Sequence, residues 1–402
     1  MQRSVRRGLQ KGGLLTASVQ VGIVLFAVLW LVWIVNLIQS DADRSLPRMD
    51  FKVFYSVSSL VLDGRPEAAY NRELLATRDA ELTGDSYVPW TYPPPALLLF
   101  LPLSVLPFGA AFAVWGAATA SVLLTAIRRL SGSPTALGLA FLFPSTLFNL
   151  FTGQNGLLTA GLFAWGMVLL NRRPGAAGLV LGALVFKPHL FPLVPLALLA
   201  GGCRRAFLAT CASAAGFALL SLAAFGPGAW EGFIAMIPQV KDMLYDGTYS
   251  WWQMQSVTAT LLELGVPPEV TQAAQALFGL AAVCSVTWLW WRKDVLYEYK
   301  VAGLALAILA VTPYAFHYDL TILGVGMLWF ASGARRRGLQ GWERAALAFT
   351  FFAPILSVMI GRETSISGGP AVFLILLAVL ANRIRLDLSL QPVRQSQIMA
   401  AA

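Results

Sequence analysis

The sequence predicts an all-α polytopic membrane protein. Of its 402 residues, 57% are hydrophobic and only 12% charged. The mean hydropathy is +0.67. Apolar runs near bilayer-spanning length recur along the whole chain. A typical globular domain is about half apolar and about a quarter charged, and no single soluble core absorbs so many long apolar segments. The formal charge of +9 does not point to nucleic acid, because the basic residues form short clusters between apolar runs instead of one interleaved face. Cys203, Cys211 and Cys284 lie in or beside apolar segments without paired or C-x-x-C spacing, and read as small apolar fillers.

Arg3, Arg6, Arg7 and Lys11 precede the first apolar run, about 14–38. That run is too long for an ordinary signal peptide and reads as a signal anchor with a cytoplasmic N-terminus. A polar first external loop, 39–95, follows. It holds an apolar helix beginning at Asp50, expected on the membrane surface, and a charged helix at about 71–82. Pro93-Pro94-Pro95 stops any helix from the loop and starts the next. Pro102 and Pro107 break the following apolar stretch into an interfacial piece and a second span.

Further spans are expected at about 134–150, 156–171, 174–186, 190–203 and 206–225. A second external loop, 226–269, rich in Trp and Tyr, separates these from five more spans ending near 381. The basic clusters at 128, 172, 204, 292, 335 and 383 all fall on one side. About 20 of the 29 Lys and Arg are then cytoplasmic, as the positive-inside rule requires. The expectation is about twelve transmembrane helices with external juxtamembrane helices.

Chemistry is expected in the polar groups that collect on the external side. Asp50 opens an apolar, aromatic helix, where the helix dipole favours a carboxylate. It reads either as an N-cap or salt-bridge partner of Arg48 or Lys52, or as a general base for an acceptor hydroxyl. Lys187, interrupting an apolar stretch, either snorkels or holds a phosphate. His317 and His189 are the two histidines. His317 either satisfies a local hydrogen bond or contacts phosphate or sugar. Gln154 and Asn155 suit sugar hydroxyls, although Asn-Gly is also turn chemistry. Tyr92 and Tyr314 sit at Pro-rich corners on the same side. Asp41 and Asp43 form a D-x-D whose hard oxygens suit a divalent cation, but directly after a span they read as loop solubilisers, and no metal or other cofactor is expected. A one-sided polar set argues against a through-pathway, leaving a flippase or transporter of a lipid-linked or small solute as the alternative to an enzyme.

The chain resembles glycosyltransferase family 87 of the GT-C superfamily, which includes polyprenol-phosphate-mannose-dependent alpha-mannosyltransferases. The resemblance rests on Asp50-Phe51 with Val53-Phe54-Tyr55 and Gly64-Arg65-Pro66. It continues in Tyr92-Pro93-Pro94-Pro95 with Leu101-Pro102-Leu103 and Leu106-Pro107, in Gly153-Gln154-Asn155-Gly156, and in Gly178 and Gly182 leading to Lys187-Pro188. These motifs span about 50–205. Beyond them only hydropathy and the Pro313-Tyr314 to His317 corner agree. The resemblance implies a GT-C fold, a sugar donor on a polyprenyl phosphate, and a glycolipid or glycan acceptor. It implies an acidic base early in the first external loop, where Asp50 falls, with Lys187 or His317 supporting the leaving phosphate. It further implies a bacterial cytoplasmic (inner) membrane enzyme with its site on the external or periplasmic face. Sugar identity, acceptor, linkage and oligomeric state are open at this stage.

Overall fold

The computed structural model describes residues 50–83, 87–335, 338–364 and 368–389, plus helical positions 21, 25, 28 and 32. The rest of the expected first span, Asp41, Asp43 and Arg48 lie outside the described residues. All named elements are helical, with one isolated antiparallel bridge between Met254 and Phe316. Two units cluster separately: Met1–Pro188 with Ala209–Leu244, and His189–Leu208 with Tyr245–Ala402.

In the first unit, α1 (Phe51–Leu62) places Phe51, Phe54, Val57 and Leu60 at helical spacing on one face, all at 1% exposure or less. Phe54 stacks on Phe100 with ring centres 4.3 Å apart, and Trp90, Tyr92 and Trp115 pack edge-on around it. Nine of its twelve residues are buried, so α1 is packed into the core of the first unit. The charged helix α2 (Arg72–Thr83) is largely exposed. Arg78 ties it back to Asp63 at 2.5 Å.

After the tri-proline, α3 (Pro94–Phe100) starts with prolines in its first turn and a short 3-10 turn (Leu103–Val105) follows. Then comes α4 (Phe108–Ser131), closed by left-handed Gly132 with Arg128 and Arg129 in its last turn. That ending combines a glycine C-cap with cations at the negative end of the helix dipole. Next are α5 (Pro134–Phe141), α6 (Pro144–Thr152), α7 (Gly156–Leu169) and α8 (Pro174–Gly182), with a 3-10 turn (Ala183–Phe186) leading to Lys187.

Residues 209–244 belong to the long α10 (Arg204–Tyr245), where Gly226 (φ 74°, ψ 175°) breaks the helix just before Pro227. The second external loop expected from residue 226 is therefore helical through Tyr245. Proline is tolerated in a helix's first turn, so Pro227 restarts the helix instead of ending it.

The second unit holds α9 (Leu193–Ala200), α11 (Val257–Glu263), α12 (Pro268–Trp291), α13 (Tyr297–Val311), α14 (Thr321–Ala334), α15 (Gly341–Thr364) and α16 (Gly369–Ser389); α9, α12, α14 and α16 pack on α13, while α11 packs on α12 and α15 on α16. Residues 301–310 of α13 are all buried. A Cβ at Gly326 would lie 2.8 Å from that of Ala305, so glycine permits the close α13–α14 approach. Arg383 is buried, donating from Nε to Glu343 at 2.5 Å and from a second nitrogen to the same carboxylate. It is thus a core ion pair and not a loop charge.

Among the described residues, four helices are long and apolar enough to cross a bilayer: α4, α10, α12 and α15. A fifth results if α5 and α6, bent by 54°, form one span. This is fewer than the roughly twelve that hydropathy suggests. Most remaining apolar segments are short or broken by Pro and Gly. At ~1.5 Å per residue, the 14 residues of α7 reach only about two thirds of the ~30 Å hydrocarbon core.

Candidate active site

Asp50 stands at the amino end of α1 with helical backbone angles (φ −68°, ψ −21°), and its side chain makes no capping bond. Its Oδ2 instead accepts a hydrogen bond from Gln154 Nε2 at 2.8 Å. The fold therefore does not use the carboxylate as an N-cap. Burial pushes its pKa above the ordinary 3.8. The Gln154 hydrogen bond and the charge of Lys52 pull the other way. Burial penalises the charged form of a carboxyl, so a proton is held more tightly there than in water.

The turn between α6 and α7 positions Gln154. Gly153 ends α6 in the left-handed region (φ +71°), and a Cβ there would lie 2.5 Å from Phe51 Cβ. Only glycine lets the turn rest on the residue beside Asp50. Trp115 Nε1 donates to the Gly153 carbonyl at 2.9 Å. Asn149 braces the turn from below, with Oδ1 accepting from Gly156 N and Nδ2 donating to the Ser145 carbonyl, both at 2.7 Å.

Asn155 is fully buried, and both ends of its amide are engaged. Nδ2 donates to the Tyr92 hydroxyl at 2.7 Å and Oδ1 accepts from Lys187 Nζ at 2.8 Å. Its backbone N–H reaches Gln154 Oε1 at 3.4 Å. The backbone carbonyl of Tyr92 accepts from the Tyr70 hydroxyl at 2.9 Å. A continuous polar chain thus joins Asp50, Gln154, Asn155, Tyr92 and Lys187 within the first unit. Lys187 is 1% exposed, so it does not snorkel to the surface. Desolvating an ammonium is costly unless it is paired or hydrogen-bonded.

The other expected site residues belong to the second unit. His189 and Tyr314 lie with ring centres 6.4 Å apart. Burial, and then the nearby Tyr245, raise the Tyr314 pKa to about 12. His317 Nδ1 faces the Gln253 carbonyl at 3.0 Å. A carbonyl only accepts, so the proton sits on Nδ1 and Nε2 carries the lone pair. Burial pulls the His317 pKa down to about 4 against the bond to Gln253. The ring is therefore neutral at pH 7 and acts as a hydrogen-bonding group, not as a cation. The same segment is pinned by Gln255 N donating to the Ala315 carbonyl at 2.6 Å and by Ser357 donating to Gln255 Oε1 at 3.0 Å.

Asn149, Trp115, Tyr70 and Gln253 escaped the sequence reading as parts of these sites. Asn149 had a usable signal, being an amide inside the apolar run Leu147-Phe148-Asn149-Leu150, where an unsatisfied polar group is expensive. Gln253 had none, since it acts through its backbone carbonyl. Among the described residues, no group of three or more His, Cys, Asp or Glu side chains is placed to hold a metal ion.

A family model described as Glycosyltransferase family 87 matches residues 90–313, more than half of the chain. The matched stretch holds Tyr92, Gln154, Asn155, Lys187 and His189. It begins after Asp50 and ends just before Tyr314 and His317. It reaches well beyond residue 205, where the motifs quoted above end. No curated protein and no solved structure matches the chain.

Proposed function

Since the chain belongs to glycosyltransferase family 87 and is thus a glycosyltransferase, we propose that it moves a hexose or pentose, mannose foremost, from a polyprenyl-phosphate donor to a lipid or glycan acceptor. The reaction takes place at the external face of a bacterial cytoplasmic membrane. Asp50 is the general base. It takes the proton of the acceptor hydroxyl as that oxygen bonds to the anomeric carbon. The bond from that carbon to the phosphate oxygen breaks, and polyprenyl phosphate leaves with the electron pair. Attack opposite the departing phosphate inverts the anomeric centre.

The observation that carries this reading is the hydrogen-bonded chain from the Asp50 carboxylate to the Lys187 ammonium. It sets a base and a cation in one neighbourhood, and transfer from a phosphate needs both. Gln154 occupies Oδ2 of Asp50, and among the described residues Oδ1 takes no hydrogen bond, which leaves that oxygen for the acceptor proton. Lys187 supports the leaving phosphate. Asn155 is a positioning residue for Lys187 and Tyr92, because its amide is already spent on them and has little left for a sugar hydroxyl.

The test incubates purified protein with polyprenyl-phosphate-mannose and polyprenyl-phosphate-arabinose in turn, each with candidate glycolipids, and seeks the product by mass. A new glycoside from one donor supports the reading. Movement of labelled donor across a bilayer without any new glycoside would overturn it in favour of a flippase.

A further inference from the structure

A cavity of about 700 Å³ lies between α12, α13 and α16 in the second unit. That volume is typical of sites for small molecules, about 300–1,000 Å³. Its walls are hydrocarbon, with Phe278, Trp288 and Leu377 at the sides and Gly303 and Ala307 at the floor. Along α16 it runs from Phe373 to Leu388, ~22 Å at ~1.5 Å per residue. That is more than one leaflet of a ~30 Å hydrocarbon core. Trp288 and Leu377 are 46% and 44% exposed, so the cavity is an open groove.

Apart from Ser285, one lining residue breaks the apolar pattern, and it alone is charged. Arg385 is exposed and lines the groove near the carboxyl end of α16. Leu289, Val295 and Ile384 share one core cluster, so the end of α12, the start of α13 and the end of α16 meet there. The neighbouring cations are committed elsewhere: Arg383 to Glu343, and Arg292 to Asp294. Arg385 has no ion pair among the described residues. A long hydrocarbon slot ending at one uncommitted guanidinium matches an amphiphile with an acyl chain and an anionic head. Basic positions where helices meet the headgroup layer recognise such lipids, and a guanidinium pairs with phosphate bidentately.

We propose that this groove binds one anionic phospholipid from the adjoining leaflet, its acyl chain along Gly303 and Ala307 and its phosphate on Arg385. The site is distinct from the polar chain of the first unit, and does not depend on the transfer reaction.

The test reconstitutes the full-length protein in nanodiscs of equal phosphatidylglycerol and phosphatidylcholine, extracts it with mild detergent, and counts retained lipids by native mass spectrometry. Wild-type protein is expected to retain one phosphatidylglycerol in at least tenfold preference. Arg385→Glu, at an exposed position that does not threaten folding, is expected to abolish the preference. Ala307→Phe, which fills the groove, is expected to lose the bound lipid altogether. Equal retention of the two lipids by wild-type protein, or an unchanged preference in Arg385→Glu, would overturn the proposal. So would displacement of the phosphatidylglycerol by equimolar polyprenyl phosphate, which would assign the groove to that lipid instead.

Discussion

Gln154 Nε2 donates to Asp50 Oδ2 at 2.8 Å across 104 positions of sequence, fixing a buried carboxylate to the turn that also carries Asn155. The bond stabilises the charged form of Asp50 against the burial that opposes it. Removing it in Gln154→Ala raises the Asp50 pKa further. A hydrogen bond to a charged group is worth about 1.5–3 kcal/mol, so kcat/KM on the acid limb should fall, by up to roughly 10- to 100-fold. Its acid limb should move to higher pH. A profile that keeps its wild-type inflection would show that Gln154 does not tune the base.

The wild-type enzyme carries its own pH signature. Asp50 must be ionised to accept a proton, and its pKa lies above the ordinary 3.8. Activity should therefore be lost, as pH falls, earlier than an exposed aspartate would dictate. The kcat/KM profile is expected to inflect above 3.8. An inflection at or below that value would contradict a buried carboxylate as the titrating group.

Gly153 supports the site sterically. At φ +71°, with Phe51 Cβ 2.5 Å from any added Cβ, Gly153→Ala strains its own backbone and pushes α1 and the 153–156 turn apart. A loss of about 1–3 kcal/mol in stability should accompany an activity loss larger than stability alone explains. Thermal unfolding in detergent, read beside transfer rate at a temperature where the variant is folded, separates the two.

Much of this architecture was legible in the sequence, and the misses share a cause. Polar residues interrupting apolar runs, such as Lys187 and the Gln154-Asn155 pair, stood out without any structure. So did helix starts at Pro94 and Pro134 and the end of α4 at Arg128-Arg129, because proline, glycine and terminal charge act locally. Long-range pairings left no such mark. The buried bond between Arg383 and Glu343 made a core residue look like a loop cation. The aromatic ring of Phe100, Trp90 and Trp115 around Phe54 turned an amphipathic helix into a buried one. Hydropathy also merges segments that backbone chemistry divides, as at Pro144, where one expected span becomes α5 and α6. At Gly226-Pro227 the breaker pair ends one helical stretch and starts another at once, where a loop was expected.

Asn155 links the Tyr92 hydroxyl to Lys187 Nζ. Asn155→Leu removes one hydrogen bond from each of them. At about 0.5–1.5 kcal/mol for a neutral hydrogen bond and about 1.5–3 kcal/mol for one to a charged group, the unfolding temperature should drop by several degrees. Asn155→Asp sets a carboxylate on Lys187 and offsets its charge, so it should raise KM for the phosphate donor more than it lowers kcat. An unchanged KM would place the donor phosphate elsewhere.

His317 should shape acid stability. Its folded pKa of about 4 lies below the ordinary 6.5. The unfolded chain therefore binds the proton first as pH falls, and stability is lost progressively from pH 6.5 down to about 4. The loss amounts to at most about 3 kcal/mol. His317→Gln, which removes the titration, should flatten this part of the stability profile. An equally steep decline in the variant would assign it to another group.

The most direct measurement compares initial rates of sugar transfer by purified wild-type and Asp50→Asn protein at saturating donor. Asparagine keeps the shape of the side chain and its contact with Gln154 but cannot accept the proton. The rate is expected to fall by at least 10²-fold, within the range for general-base catalysis, while thermal stability is unchanged or higher. A variant that turns over at near wild-type rate would show that the base lies elsewhere.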